Sequence, residues 1–232
     1  MSLEIINFSK KYGSQTVLDR INISIKKMEI IGLLGPNGAG KSTLMKSVVG
    51  ILKTEKGKIF LEGEDISTHP ISSKKKIGFL AENNPLYEEM YVREYLDYVT
   101  SLHGTDKNRI HIVIDQVGLS EEKNKKIKEL SKGYKQRLGI AQAIIHEPNV
   151  LILDEPTTGL DPNQIIEIRS LIKKTGEEKI VILSTHLMQE VEAVCSRVIL
   201  IDKGKMISDA PVENLKKEFG SLETAFHHFT TS

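Results

Sequence analysis

After a short apolar run at residues 30–34 comes the stretch Gly35-Pro36-Asn37-Gly38-Ala39-Gly40-Lys41-Ser42-Thr43. It matches in full the G-x-x-x-x-G-K-[ST] pattern of a loop that binds phosphate between a strand and a helix. Its glycines let successive backbone N–H groups turn toward a phosphate, and the helix that begins near Lys41 adds the positive end of its dipole. We therefore expect an α/β fold organised around a nucleotide-phosphate site.

Three side chains of this stretch have separate tasks in such a site. Lys41 supplies a point charge between the β- and γ-phosphates, Ser42 offers a hydroxyl to Mg²⁺, and Thr43 continues the first helical turn. The alternative is a plain glycine turn that joins a strand to a helix. We favour the phosphate site because the strand, the lysine and the hydroxyl all fall where that site needs them.

The composition indicates a globular protein without a surplus of basic residues. The 232 residues are 39% apolar, which suits one large α/β domain or two small ones. Lys and Arg total 32 against 31 Asp and Glu, so the net charge of +1 gives no reason to expect nucleic acid as a partner. The single cysteine, Cys195, lies in an apolar-periodic run over Leu187, Val191, Val194 and Val198, which predicts a reduced core thiol and a reducing compartment.

Neither export nor a membrane span is indicated by the sequence. Residues 3–8 alternate like a strand soon after Met1, without the basic and apolar regions of a signal peptide. No run approaches the roughly 18 to 20 apolar residues that a membrane helix needs. We therefore expect a cytoplasmic protein that does not cross a bilayer by itself.

Alternating and helical patterns divide the rest of the chain. Residues 3–8 and 16–25 alternate apolar and polar side chains, which predicts an antiparallel sheet before the phosphate loop. Tyr12 lies between them, where two alternatives stay open: its ring stacks on a purine base, or it packs against the protein. The apolar positions within residues 83–145 recur with helical spacing, which predicts a helical insertion.

Two unbroken apolar runs, residues 150–153 and 180–183, each end in polar side chains. Such runs are typical of parallel strands buried on both faces, and ligands bind at the carboxyl ends of these strands. We therefore expect the two polar ends to lie together at a ligand site. The residues at these ends are Asp154, Glu155, Ser184, Thr185 and His186.

The order of these motifs along nearly the whole chain resembles the ATP-binding subunit of an ABC transporter. Residues 35–43 are similar to the Walker A motif of that family, and residues 150–155 to its Walker B motif with the catalytic glutamate. Leu130-Ser131-Lys132-Gly133-Tyr134 resembles the signature sequence, and residues 159–161 resemble the D-loop. The resemblance implies a single ABC ATP-binding domain over residues 1–232. Its parts would be a RecA-like parallel core, an N-terminal antiparallel β subdomain and a helical subdomain at residues 83–145.

The resemblance also implies the roles of the site residues, with ATP and Mg²⁺ as cofactors. Glu155 would polarise the attacking water, with His186 as the switch histidine and Lys41 as the third catalytic residue. Ser131 and Gly133 would act in trans on ATP held by a second subunit. Asp161 of the D-loop would link the two sites. ATP contacts are expected from Tyr12, Gly35, Pro36, Asn37, Gly38, Ala39, Gly40, Lys41, Ser42 and Thr43, and metal contacts from Ser42, Asp154 and Glu82.

Departures from the family pattern occur at three positions. Lys132 and Tyr134 stand where the signature commonly has glycine and glutamine. Glu82 stands where a glutamine usually contacts Mg²⁺. A carboxylate there reaches the metal directly or through water, but it adds negative charge beside a triphosphate.

The segment at residues 85–96 looks like the exporter branch whose ATPase and membrane subunits are separate chains, as in gliding-motility, multidrug or polysaccharide export. The implied partners are an integral membrane permease, touching residues 82–94, and a second ATPase subunit, in a homodimer or a heterodimer with a related ATPase. The implied location is the inner face of the cell membrane. One alternative is a soluble ABC ATPase acting on ribosomes or DNA, but this chain has one cassette and no coiled coil. The other is a phosphate-loop kinase, which would not need the signature.

Overall fold

The computed structural model describes residues 2–230, which form two sheets and the helices around them. The strands are β1 Ser2–Tyr12, β2 Gln15–Lys26, β3 Ile30–Leu34, β4 Lys56–Leu61, β5 Glu64–Asp65, β6 Ile77–Leu80, β7 Val150–Asp154, β8 Ile180–Ser184, β9 Arg197–Asp202 and β10 Lys205–Pro211. The α-helices are α1 Lys41–Val48, α2 Pro70–Lys75, α3 Val92–His103, α4 Arg109–Gln116, α5 Lys132–Ile144, α6 Pro162–Gly176, α7 Met188–Val194, α8 Val212–Phe219 and α9 Leu222–Thr230. A short 3₁₀ helix covers Ile127–Glu129.

The central sheet has six strands in the order β10-β9-β3-β8-β7-β6. All neighbours are parallel except β10, which pairs antiparallel with β9. Every residue of β7 is buried, with Val150 and Ile152 in one hydrophobic cluster and Leu151 and Leu153 in the other. Burial on both faces explains why these strands show no polar alternation in the sequence. The predicted parallel core is confirmed.

A second, antiparallel sheet covers one face of the central sheet. Its order is β2-β1-β4-β5, and Leu3 pairs with Ile25 across β1 and β2. The apolar side chains of this sheet share a cluster with α1 and one face of the central sheet. Because the sheet buries only one face, its sequence alternates, and the predicted N-terminal antiparallel sheet is confirmed.

Helices α3, α4 and α5 fill the segment between β6 and β7, where a helical insertion was predicted. Helix α3 ends at Gly104, whose φ of 67° is left-handed. Helix α5 packs closely against the central sheet. The approach is so close that a Cβ at Gly78 of β6 would collide with the Ala143 carbonyl oxygen. The helical content of the insertion is confirmed, whereas its boundary at residues 83–145 as a subdomain stays a prediction.

Helix α2, which includes Lys74 and Lys75, was not predicted, because it has only Ser73 buried and therefore no apolar period to reveal it. One local prediction differs from the structure. The periodic run that included Val198 is wrong at that residue, because α7 ends at Val194 and Val198 pairs with Gly32 in the sheet. In the sequence, Val198 of β9 lies four residues after Val194 of α7, so it continues the helical spacing although it belongs to a strand.

The cysteine and the membrane predictions concern the whole chain. Cys195 is a free, buried thiol, and burial raises its pKa. Of the helices that lie within residues 2–230, none is both long enough and apolar enough to cross a bilayer.

Candidate functional site

A cavity of about 710 Å³ opens where the phosphate loop meets the carboxyl ends of β7 and β8, and we call it the phosphate cavity. It brings together predicted residues from five separate parts of the sequence. Of the predicted ATP contacts, Gly35, Pro36 and Ala39 lie in the same loop but outside the lining. The cavity is lined by Tyr12, Val17, Asn37, Gly38, Gly40, Lys41, Ser42, Thr43, Glu82, Asp154, Glu155, Thr158 and His186.

The backbone of the phosphate loop is arranged to bind an anion. Gly38 and Gly40 have φ values of 81° and 110°, which side chains with a Cβ rarely adopt. Within residues 2–230, no hydrogen bond uses the backbone N–H of Gly38, Gly40, Lys41 or Ser42. These N–H groups lie at the start of α1, where the helix dipole also favours negative charge.

The base of the loop packs against the end of the central sheet. A Cβ at Gly35 would collide with the carbonyl oxygen of Ile201 in β9. Farther along, the N–H of Gly204, in the turn between β9 and β10, donates to the Ala39 carbonyl at 3.2 Å. The position of the phosphate loop is therefore fixed by a hairpin far away in sequence.

Lys41 is buried and faces three acids. Its ammonium donates to the carbonyl oxygens of Gly35 at 2.6 Å and Pro36 at 3.1 Å. Burial lowers the pKa of Lys41, while the negative charges of Glu155, Asp154 and Glu82 oppose that shift. A cation held by carbonyls and facing acids is suited to binding a polyphosphate, because phosphate oxygens supply more negative charge than carbonyls do.

Asp154 ends β7 and is almost fully buried. Its Oδ1 accepts a hydrogen bond from the Ser184 hydroxyl at 2.6 Å and a longer one from the Ser42 hydroxyl at 3.4 Å. The strand ends therefore hold a carboxylate next to the hydroxyl that the phosphate-loop pattern assigns to a metal.

Glu155 follows Asp154 in an unusual backbone conformation, with φ of 52°. Its N–H donates to both the hydroxyl and the carbonyl of Ser184, at 3.1 and 3.2 Å, which holds the residue in this strained region. Its Oε2 lies 2.9 Å from His186 Nδ1 and accepts a hydrogen bond of 2.9 Å from the Thr158 hydroxyl. The carboxylate is thereby aimed into the cavity by two side chains.

The donor set fits a magnesium ion shared with a nucleotide. Oxygen donors come from Ser42, Asp154 and Glu82, and hard oxygen ligands are the ones that Mg²⁺ prefers. In the part of the chain that the structure describes, no group of three His, Cys, Asp or Glu side chains could hold a metal alone. The residues present therefore suit an ion that takes its other ligands from phosphate and water.

Tyr12 and Glu82 lie at the rim of the cavity. The Tyr12 ring is half exposed and has the ammonium of Lys10 5.8 Å from its centroid. Glu82 follows β6 and is exposed. The exposed Tyr12 ring is accessible to a purine base, and the exposed Glu82 carboxylate is accessible to a metal ion at the phosphates. Both roles stay predictions.

The remaining predicted residues lie elsewhere, on what we call the signature surface, formed by Ser131, Gly133 and Asp161 at the starts of α5 and α6. Ser131 caps α5, and its hydroxyl accepts from Tyr134 N–H at 3.3 Å. Asp161 caps α6 and accepts from Gln164 N–H at 3.0 Å. A cavity of about 460 Å³ between the two helices includes Gly133 and Asp161 in its lining. None of the three residues lines the phosphate cavity of the same chain.

The sequence placed Thr185 at the site but did not reveal the other groups that position the acids. Thr158 lines the phosphate cavity, and Thr157 and Thr185 donate hydrogen bonds to a buried glutamate, Glu190. The only signal for Thr158 was its spacing of three residues after Glu155. For Glu190 there was no signal, because its partners lie in two separate loops.

Comparisons with known proteins agree with this geometry. The sequence profile of the ABC transporter family matches residues 18–158. The lantibiotic transport ATP-binding protein SrtF of Streptococcus pyogenes is 38% identical over 94% of this chain and 96% of its own length. The bacitracin transport ATP-binding protein BcrA of Bacillus licheniformis is 38% identical over 93% of this chain and 71% of its own. A solved ATP-binding subunit of an ABC transporter superposes with a TM-score of 0.89 at 26% identity, covering 99% of each chain.

Proposed function

Because the chain belongs to the ABC transporter family as an ATP-hydrolysing subunit, we propose that it powers an exporter whose membrane-spanning subunits are separate chains. The relatives in lantibiotic and bacitracin transport support export. The observation that carries the mechanism is the division of the site between the phosphate cavity and the signature surface. A second ATPase subunit would bring its Ser131 and Gly133 to the γ-phosphate, so that neither subunit has a complete site alone.

Within the phosphate cavity, the groups of one chain bind ATP and prepare water. The loop N–H groups and Lys41 orient the β- and γ-phosphates. Glu155 accepts a proton from the attacking water, an effect worth about 10²–10⁴-fold in rate. His186 Nδ1 lies 2.9 Å from the Glu155 carboxylate, and the ring would bond the γ-phosphate through its other nitrogen.

Ser42, Asp154 and Glu82 would hold Mg²⁺ together with phosphate oxygens. Bound Mg²⁺ supplies charge neutralisation at the β- and γ-phosphates. Asp154 accepts from the Ser184 hydroxyl, and this bond keeps its carboxylate beside Ser42. Glu82 reaches the same region from the end of β6, so its charge couples the metal to the segment that follows it.

That segment, predicted at residues 82–94, together with the neighbouring face of α3, is the surface we assign to the membrane permease. Tyr87, Tyr98 and Leu102 are exposed beside a groove of about 460 Å³ that runs between β6 and α3. Contact here would connect directly to Glu82 in the phosphate cavity. The subunit would then sit on the inner face of the membrane as a peripheral protein.

Light scattering of Glu155→Gln tests the shared site. With ATP and Mg²⁺ this variant should form dimers, because it binds nucleotide but hydrolyses it slowly. The matched control carries Gly133→Asp as well, which adds a negative charge where the partner's γ-phosphate would lie. It should bind ATP and stay monomeric. Dimers in the control, or monomers for Glu155→Gln at saturating ATP, would contradict the shared site.

Affinity capture of tagged Glu155→Gln from detergent-solubilised membranes tests the transport role. A multi-span partner in stoichiometric amount is expected, and exchanging Tyr87 and Leu102 for aspartate should release it. Recovery of ribosomal or other soluble partners alone would keep the ATPase chemistry and overturn the transport function.

A further inference from the structure

Glu190, in the first turn of α7, is a buried acid that joins two loops of the site. Its side chain is 2% exposed. One carboxylate oxygen accepts a hydrogen bond from the Thr157 hydroxyl, and the other accepts from the Thr185 hydroxyl at 2.7 Å. Thr157 follows β7 and Thr185 follows β8, so one carboxylate ties the two chain segments that leave the central sheet side by side.

Both threonines are next to residues that contact Glu155. Thr157 precedes Thr158, whose hydroxyl donates to Glu155 Oε2 at 2.9 Å. Thr185 precedes His186, whose Nδ1 lies 2.9 Å from the same oxygen. The link made by Glu190 therefore sets the distance between the two side chains that hold the Glu155 carboxylate.

The pairing of the two strands ends before the threonines. The ladder between β7 and β8 ends at the pair of Asp154 and Ser184, and Thr157 and Thr185 lie beyond it. Burying a carboxylate is unfavourable unless both oxygens are hydrogen-bonded, and an apolar side chain would fill the same space without that cost. Among residues 2–230, the hydrogen bonds to the Glu190 carboxylate come from these two hydroxyls, so the acid specifies loop placement rather than packing.

We propose that Glu190 is a positioning residue for ATP hydrolysis, which fixes the loop of Glu155 against the loop of His186 through Thr157 and Thr185. Glu190 does not line the phosphate cavity. The inference rests on the proposed role of Glu155, and it adds a residue that acts only through Glu155 and His186.

Steady-state ATPase kinetics of Glu190→Ala test the proposal. The kcat should fall by about 10- to 100-fold, since a displacement of about 1 Å at a reacting group costs up to 10²-fold, while the KM for ATP stays within about twofold. Glu190→Gln should recover most of the rate, because its amide oxygen accepts from one threonine and its N–H donates to the other. Glu192→Ala, an exposed acid on the same helix, is the matched control and should keep the parental kcat.

The threonines provide a second route if Glu190→Ala does not fold. Thr157→Val and Thr185→Val each remove one hydroxyl, and each should lower kcat while the double variant is no worse than the larger single effect. In a Glu155→Gln background, Glu190→Ala should cause no further loss of hydrolysis.

The outcomes separate this inference from the assignment of Glu155. A parental rate for Glu155→Gln would overturn the role of Glu155 itself. An inactive Glu155→Gln together with a parental kcat for Glu190→Ala, or for both valine variants, would overturn only the positioning role. A parallel loss of ATP affinity and thermal stability in Glu190→Gln would assign Glu190 to the core instead.

Discussion

Polar and charged side chains have different partners in the phosphate cavity and on the signature surface. In the cavity, the start of α1 and the end of β7 bring Lys41, Asp154 and Glu155 together, and their charges act on one another. On the signature surface, the side chains of Ser131 and Asp161 accept hydrogen bonds from the starts of their own helices. The difference teaches that the charged groups of one region act on one another within a chain, whereas the residues of the other serve as helix caps, which is why we propose a second subunit as their partner.

The largest effect is expected inside the cavity, from Glu155→Gln. Loss of the proton acceptor should lower kcat by about 10²–10⁴-fold, while ATP affinity is kept because the phosphate loop is unchanged. Single-turnover hydrolysis and equilibrium ATP binding measure the two quantities. Hydrolysis at the parental rate would move the base to another residue.

The second effect is expected on the signature surface, from Ser131→Asp. Aspartate still caps α5, so the thermal unfolding midpoint should hold, but its charge would oppose a γ-phosphate in trans. The ATPase rate should fall by about 10²–10³-fold, with ATP affinity of the monomer unchanged. Reduced ATP binding by the monomer would place Ser131 in the cavity of its own chain and remove the contrast between the regions.

The third effect is expected in the phosphate cavity, from Lys41→Ala, and concerns ATP affinity rather than the rate of hydrolysis. Removing a charge-assisted hydrogen bond to phosphate should weaken ATP binding by about 10- to 100-fold. Calorimetric titration measures this loss, with Lys46→Ala on the exposed side of α1 as the control. Equal affinities for both variants would refute the phosphate cradle.

The smallest effect concerns a stacked pair, His103 and His146, which lines neither of the two cavities. Their rings are 3.9 Å apart, and burial, with the positive charge of His103, lowers the pKa of His146 to about 4. The unfolded value is about 6.5, so the folded state binds fewer protons between these values, and stability is lost as the pH falls from about 6.5 to 4. The loss is about 3 kcal/mol at most.

Urea unfolding at pH 7 and pH 5 measures this dependence. His146→Gln should show a smaller loss of stability between the two pH values, whereas His111→Gln, on an exposed face of α4, should behave like the parent. Identical slopes for all three proteins would remove His146 as the cause.

Contiguous motifs made the ABC ATPase fold and family predictable, and both are confirmed. The phosphate loop is recognisable from nine consecutive residues. Strands β7 and β8 are recognisable as apolar runs because both their faces are buried. Glu190 could not be predicted, since its partner Thr157 is 33 positions away and only the fold brings them together. Helix α2 was missed because it buries a single serine, which leaves no periodic signal.

The contact between the phosphate loop and the hairpin of β9 and β10 has a consequence for the modularity of the chain. The last motif, at His186, lies before Ile201 and Gly204, which fix Gly35 and Ala39. A fragment that ends after His186 would contain every motif and still leave one edge of β3 unpaired. The shortest fragment that keeps the site is therefore longer than the span of its motifs. Truncations and gene fusions must keep the hairpin of β9 and β10 to keep the phosphate loop in place.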